Sequence, residues 1–176
     1  MYEDLKEAIR IVPDFPKKGI MFRDVTTLFI DPAATKKAME VLFEFIKDVK
    51  IDKVVGIEAR GFVGGALLAD KLNVGFVPVR KPGKLPAETI KETYELEYGS
   101  DSIEIHKDSI KPGEKVLIHD DLLATGGTAL AACKLVEKLG GEVMQLSFFM
   151  ELSFLGGREK LKGYDVKSII DYESEE

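Results

Sequence analysis

The sequence of 176 residues predicts an α/β fold: a mostly parallel central sheet flanked by helices, with one antiparallel hairpin set into it. Three observations carry that expectation. Short apolar runs of strand length alternate with segments that repeat apolar residues at helical spacing, and such alternation implies parallel strands joined by right-handed crossovers. One pair of strictly alternating runs, 93–98 and 102–106, breaks the order and reads as a hairpin. Length and a composition of 45% hydrophobic and 32% charged residues suit a single domain with a full-sized core.

Taken in order, Leu5, Ala8, Ile9 and Val12 predict a short amphipathic helix over Tyr2 to Ile11, stopping before Pro13. The segment from Pro13 to Asp24 is rich in turn formers and holds Phe15, Met21 and Phe22, so it reads as an irregular cover, or as a loop pinned to the core by its aromatics. Asp31-Pro32 starts a helix, with Asp as N-cap and Pro in the first helical position, and Ala38, Leu42, Phe45, Ile46 and Val49 keep helical spacing. A strand over 53–57 and a helix over 61–72 follow, joined by Glu58-Ala59-Arg60-Gly61, and 74–79 is the next strand. The prolines and cations of Arg80-Lys81-Pro82-Gly83-Lys84-Leu85-Pro86 interrupt the pattern. The hairpin that follows is expected to turn at Gly99-Ser100 and to act as a flap over about 80–107, or else to extend the sheet edge. Later come a strand from Val116, a helix over 128–139 ended by Gly140-Gly141, a strand over 143–150, a short polar helix over 157–162 and a last strand over 166–170. The acidic end from Tyr172 is expected to fray. Residues 1–176 form one domain, with a small N-terminal hood over about 1–30.

The centre of the sequence is Val116 to Thr128. An apolar strand runs into Asp120-Asp121, then into Ala124-Thr125-Gly126-Gly127-Thr128 and a helix start. Unpaired backbone N–H groups and the positive dipole end of a helix favour an anion there. Gly126 and Gly127 permit close backbone approach. Two carboxylates are poor neighbours for a bare phosphate but good acceptors for sugar hydroxyls. The combination reads as a site for a phosphorylated ribose. Neither a Walker loop nor a dinucleotide fingerprint occurs.

A net charge of −6 argues against nucleic-acid or membrane-surface binding. No secretory signal and no membrane span are evident, and a cytoplasmic enzyme is expected. Cys133, the single cysteine, sits in a helical Ala/Leu pattern and reads as a buried hydrophobe. His119 reads as a polar contact at a strand end rather than an acid–base group. Zinc-type spacing is absent.

Five blocks, in order along the chain, resemble those of the type I phosphoribosyltransferases. They are Pro13-Asp14-Phe15-Pro16 with Gly19 to Asp24; Arg60-Gly61-Phe62; Arg80-Lys81 with Gly83 to Pro86; Leu96-Glu97-Tyr98-Gly99; and Asp120 to Thr128. The first and fourth are similar to the branch that uses adenine. The resemblance implies purine salvage: transfer of phosphoribosyl from phosphoribosyl pyrophosphate (PRPP) to adenine, giving AMP and pyrophosphate, with Mg²⁺ and in a homodimer. It implies that Asp120 and Asp121 hold the ribose hydroxyls and that Ala124, Thr125, Gly126, Gly127 and Thr128 cradle the 5′-phosphate. Arg60 and Lys84, with Lys81, would meet the pyrophosphate, and Glu97 would handle the proton on the purine. Phe22 would border the base, read through the Met21 carbonyl and the Arg23 N–H. No direct protein ligand to the metal is expected, since Mg²⁺ prefers substrate oxygens and water. The alternatives are an oxopurine phosphoribosyltransferase, for hypoxanthine or guanine, and a PRPP-sensing regulator without turnover. Glu58-Ala59, Met21 and His119 depart from residues common in the family at those places.

Overall fold

The computed structural model describes residues 2–95 and 99–175. The chain forms helix α1 (Glu3–Glu7), strands β1 (Arg10–Pro13) and β2 (Met21–Asp24), helices α2 (Thr26–Ile30) and α3 (Pro32–Ile46), strand β3 (Lys53–Ile57), helix α4 (Gly61–Leu72) and strand β4 (Gly75–Val79). The hairpin strands β5 (Thr89–Glu95) and β6 (Ser100–His106) come next. They are followed by β7 (Lys115–Leu123), α5 (Gly127–Lys138), β8 (Glu142–Leu152), α6 (Gly157–Lys160) and β9 (Val166–Tyr172). Five strands build a wholly parallel sheet in the order β4-β3-β7-β8-β9. Strand formation follows the apolar runs. Val54, Val55, Leu117, Ile118, Leu146 and Phe148 are fully buried, as a sheet covered on both faces requires.

The strand order places the functional cleft. The chain goes from β3 outward to β4 on one side, then crosses back to add β7 on the other. Ligands of open α/β sheets bind beyond the carboxyl ends of the two strands at such a reversal. Here those ends are residues 58–60 after β3 and 120–126 at the end of β7. Register sharpens the point: the last pair between β3 and β7 is Gly56 with His119, so Asp120 and Asp121 extend past β3 while β8 still runs alongside.

Helix α4 sits close against that edge because its packing face is glycine. A side-chain carbon on Gly61 would lie 2.8 Å from Asp120 Oδ1, and one on Gly64 would strike the ring nitrogen of His119. Asp31 caps α3 by accepting from the N–H groups of Ala33 and Ala34, with Pro32 in the first helical position. His119 itself is fully buried. Its Nδ1 bonds Ser147 Oγ at 2.9 Å, and its ring packs edge-on to Phe149. It is a polar contact inside the sheet rather than an acid–base group. Cys133 is buried as well, and burial pushes its thiol up to about 12.

Four expectations need correction. The N-terminal helix ends at Glu7, and Arg10–Pro13 pairs with Met21–Asp24 as an antiparallel ribbon, so the hood is stranded and only its connection over 14–20 is irregular. Local helical spacing lost to a long-range pairing that no short window reveals. The hairpin does not turn at Gly99-Ser100. Glu95 pairs with Ser100, so the connection is 96–99. The central strand continues through the acid pair to Leu123, since β8 runs alongside it to Leu152. Finally, the chain end is not frayed at Tyr172, which is 4% exposed, closes β9 and pairs with Leu152.

Burial holds the His119 imidazole neutral and lowers its pKa from 6.5 to about 3. Between those values the unfolded chain binds more protons than the folded one, so stability is lost as pH falls through this window. Urea unfolding between pH 6.5 and 4.5 should show the wild type losing stability more steeply than His119→Gln, by up to about 1.4 kcal/mol per pH unit. Parallel curves for the two proteins would contradict the neutral, buried assignment.

Candidate active site

The cleft beyond β3 and β7 contains a cavity of about 210 Å³ whose walls include Glu58, Ala59, Arg60, Lys81, Tyr94, Asp120, Asp121 and Thr128. A second cavity of about 80 Å³ adjoins it along Asp120, Ala124, Thr125, Gly126, Gly127 and Thr128. The residues read from sequence as ribose and phosphate contacts are therefore brought together. The smaller cavity sits at the start of α5, where unpaired N–H groups gather. Gly126 has φ +78°, a left-handed conformation that suits glycine.

Arg60, at the head of α4, reaches across the cleft and donates from Nε to Asp121 Oδ2 at 2.5 Å. Burial works against its charge, but Asp121 and Asp120 more than offset that and hold its pKa above the ordinary value. The guanidinium also lies 5.6 Å from the centre of the Phe22 ring. Arg60 thus meets the Asp121 carboxylate at the end of β7 and the aromatic of the hood at once. Asp120 differs from its neighbour. Burial, and then the adjacent Asp121, push its carboxyl well above the usual range.

The cationic side of the cleft is held by Glu58, whose part was not evident in the sequence. Its carboxylate accepts from Arg80 Nε and Nη2, both at 3.2 Å, and from the Lys81 N–H at 2.8 Å. Burial raises the Glu58 pKa, but Arg80 and the Lys81 N–H bring it below the ordinary value. The loop after β4 is so tied to the loop after β3. Lys81 lines the larger cavity and pairs with Asp101 of β6, with Tyr94 also in reach. Burial works against the Lys81 charge, but Asp101 leaves its pKa raised.

Lys84 is not brought into the cleft: it is exposed, and its backbone carbonyl accepts from Arg80 at 3.3 Å. Met21, Phe22 and Arg23 lie on β2 and meet the cleft through the Phe22–Arg60 contact, while Phe15 packs edge-on against Phe22 at 5.0 Å. Glu97, with Leu96 and Tyr98, falls outside the described residues.

The Gly-rich loop over 124–128 has a support that the sequence did not reveal. The Gly157 carbonyl would lie 2.5 Å from a side-chain carbon on Gly126, and a side-chain carbon on Gly157 would strike the Ala124 carbonyl. The two backbones are therefore in direct contact. Arg158 anchors this turn through Glu151, a 2% exposed carboxylate that accepts from Arg158 Nε at 2.8 Å and from Nη2 at 2.7 Å. Ser168 donates to the same carboxylate at 2.8 Å. Glu151 lies at the end of an apolar strand and Arg158 in a polar helix, so neither carries a periodic signal.

A parallel sheet with an acid pair and a Gly-rich anion loop at its reversal, faced by an arginine, defines a protein that binds a phosphorylated sugar. The phosphoribosyl transferase domain family matches residues 24–175. Adenine phosphoribosyltransferase of Christiangramia forsetii is 60% identical over 169 residues, spanning 96% of this chain and 99% of that protein. The crystal structure of adenine phosphoribosyltransferase from Thermoanaerobacter pseudethanolicus superposes with TM-score 0.95 at 55% identity, covering 98% of this chain and 100% of that one. The Giardia lamblia enzyme complexed with 9-deazaadenine superposes with TM-score 0.92 at 42% identity, covering 98% of each chain. The chain belongs to the phosphoribosyltransferase family, in the adenine phosphoribosyltransferase branch that these relatives represent.

Gly157→Ala should push the Ala124 carbonyl and deform the loop. Calorimetric titration with ribose 5-phosphate is expected to give a Kd raised about tenfold or more. An unchanged Kd would contradict the backing role of the 156–157 turn.

Proposed function

We infer that this protein transfers the phosphoribosyl group of PRPP to N9 of adenine, releasing pyrophosphate and forming AMP. The observation that carries this reading is the shared cleft, in which the anion loop, the Asp120–Asp121 pair, Arg60 and Phe22 follow one another from the phosphate end to the base end. In the reaction the bond between ribose C1 and pyrophosphate breaks as N9 attacks. Positive charge grows on the sugar while negative charge grows on the leaving group. Binding of the 5′-phosphate by 124–128 and of the ribose hydroxyls by Asp120 and Asp121 fixes the sugar for in-line attack. Arg60, held at the cleft by Asp121, is released to the pyrophosphate as the substrate hydroxyls take its place on the carboxylate.

Asp120 fits this role because it lines both adjoining cavities, where its carboxyl can meet ribose hydroxyls. Lys81 exchanges Asp101 for pyrophosphate oxygens, and Lys84 follows when the loop between β4 and β5 closes. Glu97, on the connection between β5 and β6, takes or returns the proton of the purine imidazole edge. Among the described residues no group of three or more His, Cys, Asp and Glu side chains could hold a metal. The donors present fit a Mg²⁺ that arrives on PRPP oxygens with its waters, where it neutralises pyrophosphate charge.

The protein acts as a homodimer in this reading. Ile30 is 75% exposed, Val63 and Leu67 of α4 are 40% and 43% exposed, and a cavity of about 520 Å³ lined by Phe29, Met39 and Leu67 lies beside them. The cytoplasm is the proposed compartment, because charged phosphoribosyl compounds are made and kept inside cells. No helix among the described residues is long and apolar enough to cross a membrane.

Pyrophosphate release from PRPP and Mg²⁺ should follow adenine and not hypoxanthine or guanine. Turnover with an oxopurine alone would overturn the base assignment and keep the reaction class. PRPP binding without product from any purine would overturn catalysis altogether. Glu97→Gln should lower kcat with little change in the KM for PRPP, and full kcat in that variant would remove its proton-handling role. Asp121→Asn should raise the KM for PRPP, since it weakens both the hydroxyl contact and the hold on Arg60.

A further inference from the structure

Arg23 carries a cation into the interior. Its residue is 4% exposed, yet among the described residues no carboxylate pairs with it. Its charge is met by two backbone carbonyls and a ring. Nη1 donates to the Met21 carbonyl at 2.7 Å, Nη2 donates to the Glu175 carbonyl at 2.9 Å, and the guanidinium lies 4.7 Å from the centre of the Tyr172 ring. Arg23 Nε and Tyr172 Oη are both buried without a hydrogen-bond partner. With no acid and two unpaired polar atoms among the described residues, this buried cation is a poor arrangement for stability. What it does achieve is geometric. It joins the last described residues of the chain to the backbone of β2, 152 residues away in sequence.

The Met21 carbonyl is unusual in a second way. Its register partner in β1 is Pro13, which has no N–H to offer. The ladder therefore cannot take up this oxygen from the residue opposite, and the donor it does have is Arg23. A carbonyl oxygen holds two acceptor sites. With one filled by a fixed planar guanidinium, the other is left in a fixed direction for a single external donor.

We propose that the Arg23 side chain and the chain end at Tyr172 and Glu175 form a latch that aims the Met21 carbonyl at the purine, making Arg23 and Tyr172 positioning residues for base selection. This rests on the reading of β2 as the base-binding strand. A 6-amino group donates to the aimed carbonyl, whereas a 6-oxo group would face it oxygen to oxygen. Loosening the latch lets the peptide after Met21 rotate, which weakens adenine and relaxes the exclusion of oxopurines. The PRPP end of the cleft, built on β3, β7 and α5, does not touch the latch and is left alone.

The test is steady-state kinetics with adenine and PRPP varied separately, and with hypoxanthine as competing base, for wild type, Tyr172→Leu, Tyr172→Phe and Arg23→Lys. Tyr172→Leu removes the ring beneath the guanidinium, and Arg23→Lys cannot serve both carbonyls at once. Each is expected to raise the KM for adenine about tenfold while the KM for PRPP stays within about twofold. Each should also raise the hypoxanthine-to-adenine ratio of kcat/KM. Tyr172→Phe keeps the ring and should restore most of the adenine KM. If Tyr172→Leu does not fold, Arg23→Lys alone decides the question. An unchanged adenine KM, or a rise in both KM values together, overturns the latch. A wild type that binds and uses PRPP but never turns over adenine overturns the base reading instead, so the two failures are told apart.

Discussion

The contact between Arg60 and Asp121 is the interaction on which the architecture of the site depends. It joins the head of α4, which follows β3, to the end of β7, and so closes the reversal in the sheet where a ligand must enter. It can form only because α4 lies close to β7, and that approach is set by Gly61 and Gly64 against Asp120 and His119. From this one pair the neighbours follow. Arg60 reaches Phe22 of the hood, Asp121 shares its strand with the anion loop, and Glu58, two residues before Arg60, ties down Arg80 and the backbone of Lys81.

The cleft is lined by charged residues of both signs. Asp120 is driven towards its neutral form by burial and by the carboxylate beside it. Arg60 spends its charge on Asp121, and Lys81 on Asp101. Arg60, Lys81 and Asp121 all line the same cavity, and in the proposed reaction their pairs would be exchanged for substrate oxygens or hydroxyls. Preorganised charges of this kind stabilise a transition state without being reorganised during it. The rest of the molecule is arranged to keep them in place: a parallel sheet with a dry core, an anion loop backed by the Gly156–Gly157 turn, and a hood strand tied to the chain end.

The sheet and its main helices were legible in the sequence, because strands 53–57, 116–119 and 143–150 are mostly apolar and α3 and α5 keep strong helical spacing. That the Gly-rich loop and the acid pair lie together at one cleft was legible for a different reason: they are contained in nine consecutive residues. What was hidden depends on distant partners. The β1–β2 ribbon forms from two short segments that look respectively helical and irregular, and only their mutual pairing makes them strands. Glu58 looked like an odd residue before Arg60 until Arg80 was seen to fold back on it. Glu151, Arg158 and Tyr172 gave no signal, since a buried carboxylate and a buried tyrosine near the last residues are recognisable only once the groups around them are known. Lys84 was assigned from resemblance, and it is exposed rather than among the residues that line the cleft.

The most direct test of this account is the crystal structure of the protein with PRPP and Mg²⁺ bound. The 5′-phosphate should sit on the backbone N–H groups of 124–128, the ribose hydroxyls on Asp120 and Asp121, and the Arg60 guanidinium should have left Asp121 for the pyrophosphate. PRPP bound outside the cleft between β3 and β7, or an Arg60–Asp121 pair that persists with pyrophosphate elsewhere, would contradict it.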